Sequence, residues 1–512
     1  MKQKRWIFVV YGRRFFVIAI LLGQIGFLLF LITRFSRAFQ YASYCLTLLS
    51  IGVCLYILNK NNKPAFRLTW IILILLFPIF GGVFYVFFHA QGASRKMRRS
   101  SETLDAEYQP YFLLPGDVLP TVEVKDEDCL PQVRYLQSHA GFPAYERTHA
   151  RFFNSGETFY QALLPELEKA ERYIFLEFFV LRQGLMLDPV IDLLEKKARD
   201  GLDVRIIFDD LGCLMSLPTN YQQHLEGRGI QCIVFNPFKP ILSSLQNNRD
   251  HRKIVSIDGK VAFTGGINLA DEYINEFDRF GHWKDSGIML EGDAAWSLTL
   301  IFLHMWNLYR NTRDDLISFY PWKDAYSHIP TEGYIQPYAD SPIDGENVGE
   351  QVYIQIINNA KRYVYISTPY LVVDDNLLSA LTMAAKSGVD VRIIVPHRWD
   401  KWVVKVLSQS FYGLLVSAGV KIYEYTAGFN HSKTFVSDDK VATVGTTNLD
   451  YRSLYLHFEC GVWLYKNPVV IQIKEDFLNT IPVSRLITEQ DCYRNALQRL
   501  IENVFRIIAP IM

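Results

Sequence analysis

The distribution of apolar residues divides the chain into an apolar N-terminal part and a longer part in which apolar and polar stretches alternate. Three apolar runs come first, at residues 15–32, 38–58 and 68–88, and they contain almost no ionised groups. Each has about the 20 residues that a helix needs to cross a bilayer. We therefore expect residues 1–90 to form a membrane anchor with two or three transmembrane segments.

A second kind of pattern begins after residue 90. Residues 91–131 are polar, charged and interrupted by Pro and Gly, which predicts a tether along the membrane surface. Beyond it, apolar strands alternate with amphipathic helices, and the order is repeated: AERYIFL at 170–176 matches AKRYVYI at 360–366. Such alternation predicts an α/β fold with mixed sheets covered by helices. We expect two α/β/α halves, residues 132–325 and 326–512, packed face to face.

The C-terminus shows helical spacing of apolar residues on one face, which predicts an amphipathic helix packed on the second half. The residues of this face are Leu497, Leu500, Ile501, Val504, Phe505 and Ile508. Binding of this helix to a membrane surface is the alternative, although Arg499 and Arg506 supply little basic charge for it.

One spacing of polar residues occurs once in each half. The first copy is His251, Lys253, Asp258, Gly265 and Asn268; the second copy is His431, Lys433, Asp438, Gly445 and Asn448. Residues two apart on a strand face the same side, so the imidazole and the ammonium of each copy can meet at one phosphate. One isolated pair would more often be a core His beside a surface Lys, but the duplication favours a chemical role.

Two carboxylates follow the motifs at matching places, Asp285 in DSGI and Glu459 in ECGV. A carboxylate that accepts from one ring nitrogen fixes the tautomer of a histidine and supports its cation, so we expect both to orient the histidines. Asp258 and Asp438 lie where the motif strands turn, and we expect them to be structural acceptors. Trp283 either lines the entrance to the site or only packs there.

These motifs resemble the signature of the phospholipase D superfamily, HxKxxxxD followed by GSxN, present twice per active site. Gly266 and Thr446 stand where that signature has Ser. Thr446 keeps a hydroxyl for phosphate, whereas Gly266 offers only its backbone N–H. The resemblance implies a covalent phosphohistidine on His251, with His431 as acid and base, and no metal or cofactor. It also implies that Lys and Asn side chains hold the phosphate oxygens: Lys253, Lys433, Asn268 and Asn448.

Within the superfamily, the chain is most similar to bacterial cardiolipin synthases along almost its full length. The similarity includes the N-terminal apolar segments, the NNKPAFR loop at 61–67, FDD at 208–210 and GGIN at 265–268. It implies transfer of a phosphatidyl group between two phosphatidylglycerol molecules to give cardiolipin and glycerol. A phospholipase D-type hydrolase, or a phosphatidyltransferase with another acceptor alcohol, would carry the same motifs.

Charge and cysteine usage bear on partners and location. The chain has 53 basic and 53 acidic residues, and this balance argues against nucleic acid as a partner. Seven scattered cysteines suit reduced thiols. Basic clusters before the first apolar run and after the third both favour the cytoplasmic side, but three full crossings would place them on opposite sides. Either one run is re-entrant or interfacial, or one of the two clusters does not lie on the cytoplasmic side. We expect a multi-pass cell-membrane protein with its catalytic domain at the inner leaflet.

Overall fold

The computed structural model describes residues 38–60, 63–78, 80–89, 92–239, 244–322, 329 and 332–511. These residues fall into two compact units. The first comprises the described residues within Met1–Lys96, Asn236–Asn248 and Ile507–Met512, and the second comprises those within Met97–Phe235 and Arg249–Arg506.

The described part of the first unit contains three helices before residue 90: α1 (Ala38–Asn59), α2 (Pro64–Leu76) and α3 (Gly81–His89). Trp70 of α2 packs edge-on against Tyr85 of α3, with ring centroids 5.1 Å apart. The backbone N–H of Gly82 donates to the Ser50 hydroxyl over 3.1 Å, and a Cβ at Gly82 would lie 2.7 Å from the Cα of Ser50. The close crossing of α1 and α3 therefore requires glycine at position 82.

The apolar runs that predicted transmembrane spans have different outcomes. Run 15–32 lies outside the described residues, and run 38–58 forms α1. Run 68–88 is not one helix: it is divided between α2 and α3, since Pro78 cannot continue a helix and disfavours helical backbone at Phe77. Within the described part of the chain, no helix combines the length and the apolar character needed to cross a membrane.

The segment 91–131 forms helices instead of the predicted tether: α4 (Gly92–Phe112), α5 (Leu119–Lys125) and α6 (Leu130–Arg134). Helix α4 buries Leu104, Tyr108 and Phe112 in the main core of the second unit. The Tyr108 hydroxyl accepts a hydrogen bond of 2.8 Å from the Asn307 amide. These three apolar residues are four positions apart and so lie on one face of the helix. The polar composition of the rest of the segment makes this apolar face difficult to recognise in the sequence.

The first half of the second unit contains a seven-stranded mixed sheet in the order β1-β9-β7-β6-β2-β3-β4. The strands of this half are β1 (Thr148–Phe153), β2 (Tyr173–Phe178), β3 (Asp203–Asp209), β4 (Gln231–Phe235), β5 (Arg249–Asp250), β6 (Lys253–Ile257), β7 (Val261–Gly265), β8 (His282–Lys284) and β9 (Gly287–Gly292), of which β5 and β8 lie outside the seven-stranded sheet. Its helices are α7 (Gly156–Glu168), α8 (Leu187–Arg199), α9 (Asp210–Cys213), α10 (Tyr221–Glu226), α11 (Asp293–Arg310) and α12 (Leu316–Phe319).

The second half repeats this topology in the order β10-β17-β16-β15-β11-β12-β13-β18. Its strands are β10 (Tyr334–Asp340), β11 (Tyr363–Ser367), β12 (Asp390–Pro396), β13 (Lys421–Tyr425), β14 (Gly428–Asn430), β15 (Thr434–Ser437), β16 (Val441–Gly445), β17 (His457–Tyr465) and β18 (Ser484–Leu486). Its helices are α13 (Val348–Asn359), α14 (Asp375–Lys386), α15 (Trp402–Ser417), α16 (Tyr451–Tyr455), α17 (Val469–Thr480) and α18 (Ala496–Ile508). The predicted duplicated α/β fold with mixed sheets is confirmed.

The two halves share one apolar core and also exchange strand pairs. The core takes Phe175 and Trp296 from the first half and Val462 and Phe477 from the second. Strand β5 of the first half pairs in parallel with β17 of the second, and β14 of the second pairs in parallel with β8 of the first. Each exchanged strand, β5 and β14, leads directly into a motif histidine, so the exchange determines where both histidines lie.

Helix α18 differs from the prediction in its packing. It is amphipathic, but none of its residues is buried, and Leu497, Leu500, Ile501 and Val504 are exposed. Phe505 makes an edge-on contact with Trp402 of α15, with ring centroids 5.8 Å apart. Most of the apolar face of α18 is therefore open rather than packed on the second half.

Candidate active site

Both motif histidines lie in the short loops that follow the exchanged strands. The backbone N–H of His251 donates to the Phe458 carbonyl over 2.9 Å, and that of His431 donates to the Lys284 carbonyl over 2.7 Å. Each histidine is thus held by backbone of the opposite half. The two imidazoles come close enough for the charge of His431 to lower the pKa of His251. One centre, built from both repeats, is the result.

The carboxylates pair with the histidines across the halves. Nδ1 of His251 lies 2.9 Å from Oε2 of Glu459, and Nδ1 of His431 lies 2.6 Å from Oδ2 of Asp285. Sequence alignment placed each carboxylate behind the histidine of its own half, whereas the structure exchanges the partners. The strand exchange explains this, because β5 brings His251 to β17, which carries Glu459, and β14 brings His431 to β8, which leads to Asp285.

The two motif lysines face the same space and are buried. Nζ of Lys253 donates to the His251 carbonyl over 2.5 Å, and Nζ of Lys433 donates to the His431 carbonyl. Burial lowers the pKa of Lys253 to about 7 and that of Lys433 to about 8, opposed by the charges of Glu459 and Asp285. Both lysines therefore give up a proton more readily than an exposed lysine does.

The electrostatics of the two histidines differ. Burial, followed by the charges of Lys253 and Lys433, lowers the pKa of His251 well below its usual value. Burial, followed by the charge of Lys433, also lowers the pKa of His431, to about 4, and the charge and hydrogen bond of Asp285 oppose that shift. Both histidines are therefore favoured in the neutral form, and the shorter carboxylate contact, 2.6 Å against 2.9 Å, gives His431 more support for a proton.

The motif aspartates lie at the far ends of their strands and take no part in this centre. Asp258 accepts the backbone N–H groups of Glu171, Arg172 and Tyr173 at 2.8–2.9 Å. Asp438 accepts the three N–H groups of residues 361–363 in the same way. Both have positive φ, 54° and 55°, and turn the chain between two strands. Both carboxylates thus bind backbone N–H groups at the turn, as expected of structural acceptors.

The two positions that depart from the GSxN signature serve the carboxylates. A Cβ at Gly266 would lie 2.0 Å from Oδ1 of Asp285, so the carboxylate occupies the space of the missing side chain. The Thr446 hydroxyl donates to Oε2 of Glu459 and accepts the Cys460 N–H over 2.9 Å. Gly266 therefore leaves room for Asp285, and Thr446 donates to Glu459. Neither position 266 nor position 446 supplies a hydroxyl that is free to bind phosphate.

The motif asparagines make structural hydrogen bonds. Nδ2 of Asn268 donates to the Tyr273 hydroxyl over 2.7 Å, and its Oδ1 accepts from Val180 N over 2.9 Å. Nδ2 of Asn448 donates to the Ser453 hydroxyl over 3.1 Å. One amide N–H of each side chain therefore stays available for a phosphate oxygen.

Aromatic rings enclose the histidines. Around His431 the ring centroids of Tyr273, Trp283 and Phe429 lie at 5.6, 5.3 and 5.7 Å. Around His251, Phe179 lies at 5.0 Å and the His457 imidazole at 5.6 Å. These rings keep bulk water away from the histidines and lower the local dielectric, which strengthens charge interactions inside the site.

Sequence reasoning missed several residues of the site. Arg249 and Asp209 form a buried bidentate ion pair, with Nη2 to Oδ1 at 2.8 Å, which anchors β5 just before His251. In the sequence, Asp209 stands out only as part of FDD at 208–210. His457 lies two residues before Glu459, the place that Trp283 has before Asp285. That second alignment was the available signal.

The fold and this centre together define a phospholipase D-like protein, in which two halves share a pair of histidines, lysines and carboxylates. Comparison with known proteins gives the narrower class. The family described as cardiolipin synthase, PLD-like domain, matches residues 163–279 and 353–481, and that described as phospholipase D-nuclease N-terminal matches residues 46–88.

Two curated relatives named cardiolipin synthase cover most of the chain. That of Geobacillus kaustophilus is 33% identical over 97% of this chain and 99% of its own, and that of Alkalihalophilus pseudofirmus is 32% identical over 92% and 93%. An uncharacterized protein of Streptococcus mutans is 42% identical over 90% of this chain and 100% of its own. The chain belongs to the cardiolipin synthase family.

A solved structure supports the fold. Phosphatidylserine synthase of Haemophilus influenzae superposes with a TM-score of 0.54 at 15% identity, covering 72% of this chain and 97% of that one. At this identity the likeness concerns the fold alone.

Proposed function

We propose that this protein is a cardiolipin synthase that transfers a phosphatidyl group from one phosphatidylglycerol to a hydroxyl of another, releasing glycerol. The observation that carries the proposal is the pair of crossed contacts, His251 with Glu459 and His431 with Asp285, in a chain of this family. Each contact holds Nδ1 and leaves Nε2 of the ring for chemistry, so one centre has two histidines with separate tasks.

In the first step, Nε2 of His251 attacks phosphorus of the donor lipid. The P–N bond forms, the bond from phosphorus to the glycerol oxygen breaks, and His431 gives its Nε2 proton to that oxygen. In the second step, His431 removes the proton from a hydroxyl of the second phosphatidylglycerol. The alkoxide attacks phosphorus, the P–N bond breaks, and cardiolipin leaves with both histidines restored.

The different environments of the histidines support this assignment of roles. A nucleophile must be neutral, and burial together with the charges of Lys253 and Lys433 lowers the pKa of His251 well below its usual value, against the opposing charge of Glu459. A general acid needs a proton, and Asp285 supports one on His431 at 2.6 Å. The negative charge of a bound phosphodiester adds to that support. His251 is therefore our nucleophile and His431 our acid and base.

Charge stabilisation in this mechanism falls to the lysines. Lys253 and Lys433 face the phosphate oxygens as negative charge shifts toward the leaving group. The free amide N–H groups of Asn268 and Asn448 complete the phosphate site. No metal or other cofactor is required for these steps.

Transfer to a lipid alcohol is favoured over hydrolysis by the aromatic enclosure of the histidines, which limits entry of water to the phosphohistidine. Purified full-length protein in phosphatidylglycerol vesicles tests the proposal. We expect cardiolipin and glycerol in equal amounts. Phosphatidic acid as the main product would identify a hydrolase, and a different phospholipid in mixed vesicles would identify another acceptor alcohol.

We further propose attachment to the cell membrane with the active site at the inner leaflet. Several features support it: the apolar run 15–32, helix α1, and the open apolar face of α18 with Trp402 at its edge. Tryptophan and a row of aliphatic side chains are typical of helices that lie in the headgroup region. All seven cysteines are free thiols, as a reducing compartment would require. Lipid rather than nucleic acid is the proposed partner.

A further inference from the structure

His457 carries binding capacity that the proposed reaction leaves unused. Its counterpart in the first half is Trp283, and both rings pack against a motif histidine, Trp283 on His431 at 5.3 Å and His457 on His251 at 5.6 Å. An indole is enough to enclose a histidine. The imidazole at 457 adds two ring nitrogens, and neither has a hydrogen-bond partner among the described residues although both are buried.

Only one of the two carboxylate oxygens of Glu459 makes hydrogen bonds among the described residues. Its Oε2 accepts from His251 and from Thr446, but its Oε1 is buried with no hydrogen-bond partner in the described part of the chain. Nδ1 of His457 lies 3.6 Å from this Oε1, beyond the length of a hydrogen bond. Buried polar atoms without partners are costly, and such atoms converging on one point mark a place for a ligand.

The three groups have the composition of a transition-metal site. One ligand atom each from His251, His457 and Glu459 lie within 4.8 Å of one another. Around tetrahedral Zn²⁺, with ligand bonds of about 2.0–2.2 Å, the ligand atoms are about 3.4 Å apart, so small side-chain rotations close the set. Two imidazoles and one carboxylate are a common zinc ligand set that leaves one position open.

We propose that His251, His457 and Glu459 form an inhibitory site for Zn²⁺ or a similar borderline-soft divalent cation. Nδ1 is the nitrogen of His251 that faces Glu459. A metal ion on Nδ1 leaves the ring proton of neutral His251 on Nε2, which then has no lone pair to attack phosphorus, so bound metal and turnover exclude each other. Mg²⁺ does not substitute, because it prefers oxygen ligands in octahedral geometry. The ammonium groups of Lys253 and Lys433 face the same space and oppose a cation, so we expect weaker binding than at a structural zinc site.

Metal binding is measured without lipid, on purified full-length protein titrated with Co²⁺ as a spectroscopic substitute for Zn²⁺. We expect the visible absorption bands of tetrahedral Co²⁺ in the wild type, and their loss on addition of Zn²⁺ but not Mg²⁺. His457→Trp, which copies the first half, and His457→Asn should each lose the bands, while Trp283→Phe, the matched control, should keep them. Circular dichroism melting identifies any variant that fails to fold.

The second readout is the ratio of cardiolipin synthesis with and without Zn²⁺, taken for each protein relative to itself. We expect the wild type to be inhibited, with recovery on addition of a chelator, and the His457 variants to need at least about tenfold more Zn²⁺. Equal Co²⁺ spectra for wild type and folded His457 variants, or no Co²⁺ binding by the wild type, would overturn the metal site. Since binding is measured without substrate, that result is distinct from a failure of the proposed synthase reaction.

Discussion

The crossed pairing of histidines and carboxylates makes a prediction that a same-half pairing would reverse. Asp285→Asn removes the charge that supports a proton on His431, and Glu459→Gln removes the charge that holds His251. Each variant keeps nearly the same side-chain volume at a fully buried position. The loss therefore reflects the hydrogen bond and its charge, rather than a cavity.

The magnitude follows from the geometry. A buried, charge-assisted hydrogen bond of 2.6 Å such as that of Asp285 to His431 contributes about 1.5–3 kcal/mol. At about 1.4 kcal/mol per factor of ten, this is a loss of about 10- to 150-fold in turnover. An amide that stabilises the wrong tautomer of the ring adds to the loss, as it does in Ser-His-Asp enzymes.

The assay separates the two steps by the leaving group of the donor. With phosphatidylglycerol, the departing glycerol needs a proton; with a 4-nitrophenyl ester of phosphatidic acid, the leaving group departs without one. We expect the activated donor to restore release of nitrophenol in His431→Ala and Asp285→Asn. It should not restore His251→Ala or Glu459→Gln, in which the attacking nitrogen is lost or misplaced.

The matched control is Glu424→Gln, which alters a carboxylate–histidine pair outside the active site. In this pair, Oε2 of Glu424 lies 2.9 Å from Nδ1 of His397. It should leave the ratio of the two donor rates unchanged. If the rescued histidine variant and the rescued carboxylate variant belong to the same half of the chain, crossed pairing is refuted, whichever histidine is the nucleophile.

Three further predictions follow from the site and its support. Gly266→Ser should lower turnover at least about tenfold, because the added side chain would displace Asp285. Thr446→Ser keeps the hydroxyl that donates to Glu459 and should leave turnover nearly unchanged. Equal effects of the two variants in steady-state assays would contradict the pairing of Gly266 with Asp285 and of Thr446 with Glu459. The free energy of unfolding should fall as pH drops below about 6.5, because His431 binds a proton in the unfolded state but not when buried, where its pKa is lowered to about 4. This difference in pKa corresponds to on the order of 3 kcal/mol of stability. Denaturant titrations from pH 7 to 4 measure it, and a flat profile would count against it. Leu500→Asp with Ile501→Asp on α18 should reduce binding to vesicles in flotation assays without lowering the melting temperature, while Arg499→Gln serves as the polar control; destabilisation instead would mean that this face is packed.

Much of the fold could be read from the chain because its signals are local and occur twice. The repeated helix–strand patterns predicted the mixed α/β halves, and the duplicated spacing from His251 and His431 located the chemistry. The packing of segment 91–131 could not be predicted, because the segment is polar overall. The core buries only Leu104, Tyr108 and Phe112 among the apolar residues of α4, and their burial depends on partners distant in the chain. The open face of α18 likewise depends on what lies beside it.

The sequence by itself determined which side chains are available: two histidines, two lysines and two carboxylates at matching places in a repeat. Only the tertiary structure decided which of them meet. The exchange of β5 and β14 between the halves pairs His251 with Glu459 and His431 with Asp285, and alignment cannot reveal this, because a repeat specifies equivalence and not proximity. The same exchange leaves His457 beside His251, where an imidazole replaces the indole of Trp283 and brings two buried nitrogens that enclosure alone does not require.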